Sequence, residues 1–219
     1  MKIKVCGMRD AANIQALAGL EPDYMGLIFY APSKRFVDAT NFTLPETLST
    51  QLKVTGVFVN ETQDNILQKV RQFPLEAIQL HGDETPDYCR ALRLALNDEG
   101  AGIELIKAFG MNEDFDFGIL NDYRDEVDFF LFDTKTPEHG GSGLKFNWRL
   151  LEEYTLDKPY FLSGGLTIED LERVKELEFP NLYAVDINSK FETEPGIKDI
   201  GQVKRAINFI RNTSAQELS

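Results

Sequence analysis

The chain has 219 residues, 42 % of them hydrophobic, with 36 acidic against 23 basic side chains and a formal net charge of −13. The apolar fraction supports a sizeable core, and the acidic balance excludes a nucleic-acid footprint, which needs clustered Lys and Arg. Two cysteines, Cys6 and Cys89, make no disulfide framework, and no Cys/His spacing suggests zinc.

No apolar run reaches the ~18 residues of a membrane span, and none reads as a signal peptide. The glycosylation-type triplets at Asn41, Asn60 and Asn212 then count as chance matches. The expectation is a soluble protein of the reducing cytoplasm with no membrane partner. A small anionic ligand stays open, because it answers to local donors rather than to the global charge.

In chain order, short apolar runs recur at a steady interval. Ile3–Cys6, Tyr24–Tyr30, Val54–Val59, Ala77–Leu80, Glu104–Ala108, Val127–Phe132, Tyr160–Leu162 and Leu182–Ile187 read as eight strands. They are rich in Val, Ile, Leu and Phe and mostly lack alternation, as strands buried on both faces do. Helical spacing falls between them at Ile14, Leu17 and Leu20, at Ile66, Leu67 and Val70, at Leu171, Val174 and Leu177, and at Val203, Ile207 and Ile210. The segment after the sixth strand reads mainly as loop.

Strands alternating with helices pair in parallel through right-handed crossovers. Eight such units predict an α/β fold, a single closed (β/α)8 TIM barrel. The competing open sheet lacks the Gly-x-Gly-x-x-Gly signature of its dinucleotide-binding version. No linker divides the chain, so residues 1–219 read as one domain with 212–219 as a frayed tail.

A barrel keeps its active site at the C-terminal ends of its strands. Here those ends carry Cys6-Gly7, Ser33-Lys34-Arg35, Asn60, His81-Gly82-Asp83, Lys107, Asp133-Thr134, Ser163-Gly164-Gly165 and Asp186-Ile187-Asn188-Ser189. Gly164-Gly165 lets the backbone turn sharply and present N–H groups to an anion, and the helix that follows adds its positive end. Asn188 and Ser189 supply donors beside it. The plainer reading is a tight turn. Gly140-Gly141-Ser142-Gly143 suits a mobile cover or an idle surface loop.

Cys6 is either a small buried hydrophobe or, as thiolate, a base. His81 stands far from it around the ring, and His139 lies in the loop after strand six and approaches only if that loop folds over, which disfavours a Cys–His hydrolase. Asp133 closes an apolar strand, where partial burial keeps a carboxyl available as an acid; the alternative is a loop-bonded Asp. Strands one and six lie three steps apart in a ring of eight. The two groups therefore face one another across the mouth, one to accept a proton and one to donate it.

These residues resemble a known family. Lys4-Val5-Cys6-Gly7-Met8-Arg9, Ser33-Lys34-Arg35-Phe36, Gly56-Val57-Phe58-Val59-Asn60, Gln79-Leu80-His81-Gly82-Asp83-Glu84, Leu131-Phe132-Asp133-Thr134, Gly140-Gly141-Ser142-Gly143, Leu162-Ser163-Gly164-Gly165-Leu166 and Pro195-Gly196-Ile197-Lys198-Asp199 look like the motifs of phosphoribosylanthranilate isomerases of tryptophan biosynthesis, in family order. The resemblance implies a cofactor-free Amadori rearrangement of a phosphorylated small-molecule substrate. It makes Asp133 the general acid, Cys6 the general base and Arg35 the holder of the anthranilate carboxylate. It places Gly164, Gly165, Asp186, Asn188 and Ser189 against the substrate, with Gly141 and Gly143 in the nearby loop.

Iminium formation makes the ribose C2 proton acidic, so the thiol is expected to need only modest lowering from its ordinary range. One departure stands out. Where members often read Asp-Val-Ser-Ser-Gly-Val-Glu, this chain has Asp186-Ile187-Asn188-Ser189-Lys190-Phe191-Glu192. Lys190 forfeits a left-handed backbone or adds a phosphate contact. His81 is either ligand-facing or structural. Monomer and homodimer stay open. So do two other functions: another phosphosugar aldose–ketose isomerase, and a phosphate-binding barrel without catalysis.

Overall fold

The computed structural model describes residues 1–45, 48–99, 102–134 and 146–212. Eight parallel strands form a closed ring: β1 (Lys2–Val5), β2 (Tyr24–Ile28), β3 (Lys53–Phe58), β4 (Leu75–Leu80), β5 (Glu104–Met111), β6 (Phe129–Thr134), β7 (Tyr160–Leu162) and β8 (Leu182–Ile187). Each pairs with the next in sequence, and β8 seals against β1 with Lys4 opposite Asp186. The barrel expected from the run spacing is present. Its strand boundaries shift by up to three residues, β5 running on to Met111, and β6 ends two residues later than expected, so Asp133 lies within the strand rather than just past it.

Alternation along each strand sorts side chains to two sides. Ile3 and Val5 of β1, and Phe130 and Phe132 of β6, pack in the layer between barrel and helices. Tyr24, Ile106, Ala108, Phe129, Leu131 and Phe161 fill the barrel interior. The same parity carries Lys4 of β1, and Cys6 just past its end, inward, and puts Asp133 inward at the top of β6. At the N-terminal end, the Tyr24 hydroxyl donates to Glu104 at 2.9 Å, and Lys53 pairs with Glu104 at 2.5 Å.

The outer layer holds α1 (Ala11–Ala18), α2 (Gln63–Gln72), α3 (Pro86–Glu99), α4 (Ile168–Glu176) and α5 (Ile200–Asn212), with 3₁₀ turns at Phe117–Tyr123 and Trp148–Glu153 after β5 and β6. A small antiparallel hairpin, β9 (Glu192–Glu194) and β10 (Ile197–Lys198), follows β8. Helix α3 was not expected. It buries Cys89, Leu92 and Leu96, but Leu94 points outward at 63 % exposure and blurs the apolar face. Two expected core positions move: Leu20 lies past the end of α1, and Leu177 is the exposed C-cap of α4.

Helix α4 begins with a capping box. Thr167 Oγ1 accepts from the Asp170 amide, and Asp170 accepts from the Thr167 amide at 2.8 Å. The cap anchors the helix that follows Gly164-Gly165. Thr167→Ala is expected to lower stability by about 1 kcal/mol, read as a lower urea midpoint at unchanged slope; an unchanged midpoint refutes the cap's contribution.

Candidate active site

At the C-terminal mouth, Cys6, Arg35, Gln79, His81, Asp133, Ser163, Asp186 and Asn188 line one cavity of about 70 Å³. A second hollow of about 500 Å³ opens beside it, sharing His81 and Asp133. Its lining includes Phe109 and Phe115 and the charged Asp83, Asp114, Asp116 and Lys107. The thiol and the carboxyl thus come together at one opening from opposite sides of the ring.

Cys6 is 4 % exposed. Its space depends on Gly26 of β2, where a Cβ would stand 2.6 Å from Sγ. Burial pushes the thiol up, Lys4 and Lys198 pull it down, Asp186 pushes it up, and the net displacement is upward. The modest lowering expected from the sequence is therefore not present in the free protein. Desolvation of the anion outweighs the two nearby cations.

Lys4 is 0 % exposed and donates to Asp186 Oδ2 at 3.0 Å. Burial alone lowers Lys4, but Asp186 and Cys6 outweigh it and hold it above its ordinary range. Burial also raises Asp186, against the pull of Lys4. Its second oxygen, Oδ1, is buried with no hydrogen-bond partner among the described residues. That leaves an unpartnered acceptor on a side chain that lines the cavity.

Asp133 Oδ1 accepts from the Thr134 amide at 2.8 Å, and Oδ2 lies 3.3 Å from His81 Nε2. His81 Nδ1 lies 2.7 Å from Gln79 Nε2. His81 is thus a neighbour of the carboxyl rather than of the thiol, as its place on β4 requires.

Arg35 is not a solvated loop charge. Its Nε contacts both oxygens of Glu192 at 2.9 and 3.1 Å, and Nη2 donates at 2.7 Å. Glu192 also holds Lys198 at 2.5 Å, while Lys198 reaches Asn188 Oδ1 at 2.8 Å. Burial would raise Glu192, but these cations hold it below its usual range. Burial lowers Lys198. Two cations against one carboxylate leave a local positive charge between β1 and the hairpin, in a chain that is acidic overall.

Gly164 and Gly165 adopt φ +100° and +63°. A Cβ at Gly164 would meet Thr134 Oγ1 at 2.4 Å, so the turn requires its glycine. Asn188 heads a 3₁₀ turn, Ser189–Phe191, and its oxygen is committed to Lys198. Lys190 lies exposed within that right-handed turn, so its departure from glycine costs no left-handed backbone. Gly141, Gly143 and His139 lie outside the described residues, as do 213–219 of the expected tail.

The sequence reading gave no role to Lys4, Gln79, Glu192 or Lys198. Lys4 and Gln79 carried a signal, a polar side chain at an inward position of an otherwise apolar strand. Glu192 and Lys198 carried none beyond their place in a motif.

Fold and mouth together define a (β/α)8 barrel whose polar groups, a thiol and a carboxyl among them, gather at the C-terminal strand ends. A family model for N-(5'-phosphoribosyl)anthranilate (PRA) isomerase matches residues 3–209. The chain belongs to that family. It is 40 % identical over 218 residues to the N-(5'-phosphoribosyl)anthranilate isomerase of Parabacteroides distasonis, covering 99 % of this chain and 96 % of that one. Among solved structures it resembles the phosphoribosyl anthranilate isomerase of Thermotoga maritima, with TM-score 0.80, 32 % identity, and 97 % and 99 % of the two chains covered. It also resembles an isomerase of this family in complex with reduced 1-(o-carboxyphenylamino)-1-deoxyribulose 5-phosphate, with TM-score 0.75, 29 % identity, and 95 % and 97 % covered.

Proposed function

We infer that the chain catalyses the Amadori rearrangement of N-(5-phosphoribosyl)anthranilate to 1-(2-carboxyphenylamino)-1-deoxyribulose 5-phosphate, a step of tryptophan biosynthesis. The observation that carries this reading, beside family membership, is that Cys6 and Asp133 line one cavity.

Asp133, protonated, gives its proton to the ribose ring oxygen as the C1–O bond breaks. The anthranilate nitrogen supplies its lone pair, and a C1=N iminium forms. Cys6, as thiolate, takes the C2 proton. The C2–H electron pair becomes the C1=C2 bond, and the iminium pair returns to nitrogen. The enolamine then loses its hydroxyl proton and gains one at C1, giving the ketone. The positive iminium draws the buried thiol toward its thiolate, which counters the desolvation it suffers in the free protein.

Arg35 serves the anthranilate carboxylate, held in place by Glu192 while its remaining N–H groups face the ligand. The phosphate is assigned to the Gly164-Gly165 turn, which leads into α4, with Ser189 as the family resemblance implies. Asp186 Oδ1 and Asn188 suit the hydroxyls of the pentose. The family resemblance assigns Gly141 and Gly143, which lie outside the described residues, to the same phosphate.

A tryptophan auxotroph lacking this isomerase tests the reading. Wild-type protein is expected to restore growth without tryptophan, while Cys6→Ser is not. No rescue by the wild type removes the substrate assignment and favours a binding barrel. Equal rescue by the variant removes the role of the thiol.

A further inference from the structure

Gln79 is buried at 1 % exposure, yet its Oε1 has no hydrogen-bond partner among the described residues. Its Nε2 stands 2.7 Å from His81 Nδ1, and His81 Nε2 stands 3.3 Å from Asp133 Oδ2. The three side chains form a line from the barrel interior to the mouth.

An amide has a donating end and an accepting end, and a neutral imidazole has one of each. With nitrogen toward the ring, Gln79 donates to a bare Nδ1. The ring then carries hydrogen on Nε2 and donates it to an ionised Asp133. With oxygen toward the ring, Gln79 accepts from Nδ1–H. The proton between Nε2 and Oδ2 then completes a pair that holds two protons rather than one. Either orientation pairs the ring on both sides. A fixed amide sets like against like at one proton count.

We propose that Gln79 is a positioning residue which turns its side-chain amide as the His81–Asp133 pair loses and regains the proton given to the substrate. The acid is then the pair, with one macroscopic proton shared between its members. The spent carboxylate receives Nε2–H, and the loaded pair offers Nδ1–H to the amide oxygen. The proton that reloads the pair comes from solvent, since His81 stays partly open at the mouth. The charged and titratable groups that share a hollow with the ring include Asp133, Asp186, Cys6 and Arg35 on one side, and Asp83, Lys107, Asp114, Asp116 and Tyr123 on the other. This inference rests on Asp133 being the acid.

The test uses the full chain with ¹⁵N-labelled histidine. There are two histidines, and His139→Asn assigns the signals. In the wild type, Nδ1 of His81 is expected to be bare when the pair holds one proton and protonated when the pH falls and it holds two. In Gln79→Met only Asp133 orients the ring, the preference set at Nδ1 is lost, and the tautomer ratio moves toward a mixture. Partners that orient a histidine are worth roughly 10–100-fold in activity where measured at metal sites. A fall of that size in kcat, with KM held within about twofold, is expected here. Wild-type kcat, or a ring spectrum unchanged from wild type, overturns the proposal. If Gln79→Met fails to fold, Gln79→Glu keeps the size and, as carboxylate, only accepts. It is expected to hold Nδ1–H wherever the carboxylate is ionised and to lower kcat; unchanged kcat overturns the proposal. Full activity in Asp133→Asn removes the acid assignment itself. Full activity in Gln79→Met beside an inactive Asp133→Asn removes only the turning amide.

Discussion

Asp133→Asn lowers kcat by about 10²- to 10⁴-fold, the usual worth of a placed general acid, and leaves stability close to that of the wild type. The substitution is nearly isosteric. The Asn oxygen still accepts from the Thr134 amide, as Asp133 Oδ1 does at 2.8 Å, so the top of β6 keeps its shape. What disappears is an ionisable O–H at the end that faces His81 Nε2 and the cavity. Ring opening must then draw its proton from water. Steady-state kinetics on the purified variant check this, with a urea melt beside them. A kcat within a few-fold of wild type refutes the role of Asp133, provided the melt is unchanged. A collapsed melt instead assigns the carboxyl to folding.

Lys4→Met is expected to act on stability and on the thiol at once. Lys4 and Asp186 are both buried, 3.0 Å apart. Removing one partner of such a pair costs about 3–5 kcal/mol, because a charge is left desolvated without compensation. Met matches the length of the stem, so little of the loss comes from packing. Adding Asp186→Asn removes the stranded carboxylate and recovers part of the loss.

The thiol responds separately. Lys4 is the strongest of the groups that pull Cys6 down. Without it the thiol moves further up, and fewer molecules carry thiolate at any given pH. Iodoacetamide alkylation, followed as a function of pH, is then slower than in the wild type, and its midpoint lies higher. Cys89 does not confuse the measurement, since burial in α3 pushes it up to about 12. Unchanged alkylation in the variant dismisses Lys4 as a neighbour of consequence to the base. An unchanged urea midpoint dismisses the ion pair as a support of the fold.

The barrel was readable in the sequence because parallel strands covered on both faces are continuously apolar, and eight such runs leave few topologies. Cys6 and Asp133 were readable for the same reason, since a reactive side chain at the end of an apolar run must face the mouth or be wasted. Helix α3 was not, because Leu94 on its wet face and Cys89 on its dry one obscure the period. The charge partners were not readable either. Lys4 and Asp186 are 182 positions apart, and Arg35 and Glu192 are 157 apart. Nothing local announces either pair; only closure of the ring brings them together. His81 lay between the two cases, with a position that could be placed and a partner that could not.

That β8 seals against β1 carries a consequence for biosynthesis on the ribosome. There β1 emerges before β8, with its lysine hydrated and the neighbouring Cys6 open to oxidants. It stays so until β8 has been made and can pair with it. The mouth that holds Cys6 and Asp133 is therefore assembled in one late event, and a chain that stops short of Asp186 leaves Lys4 without its counter-ion.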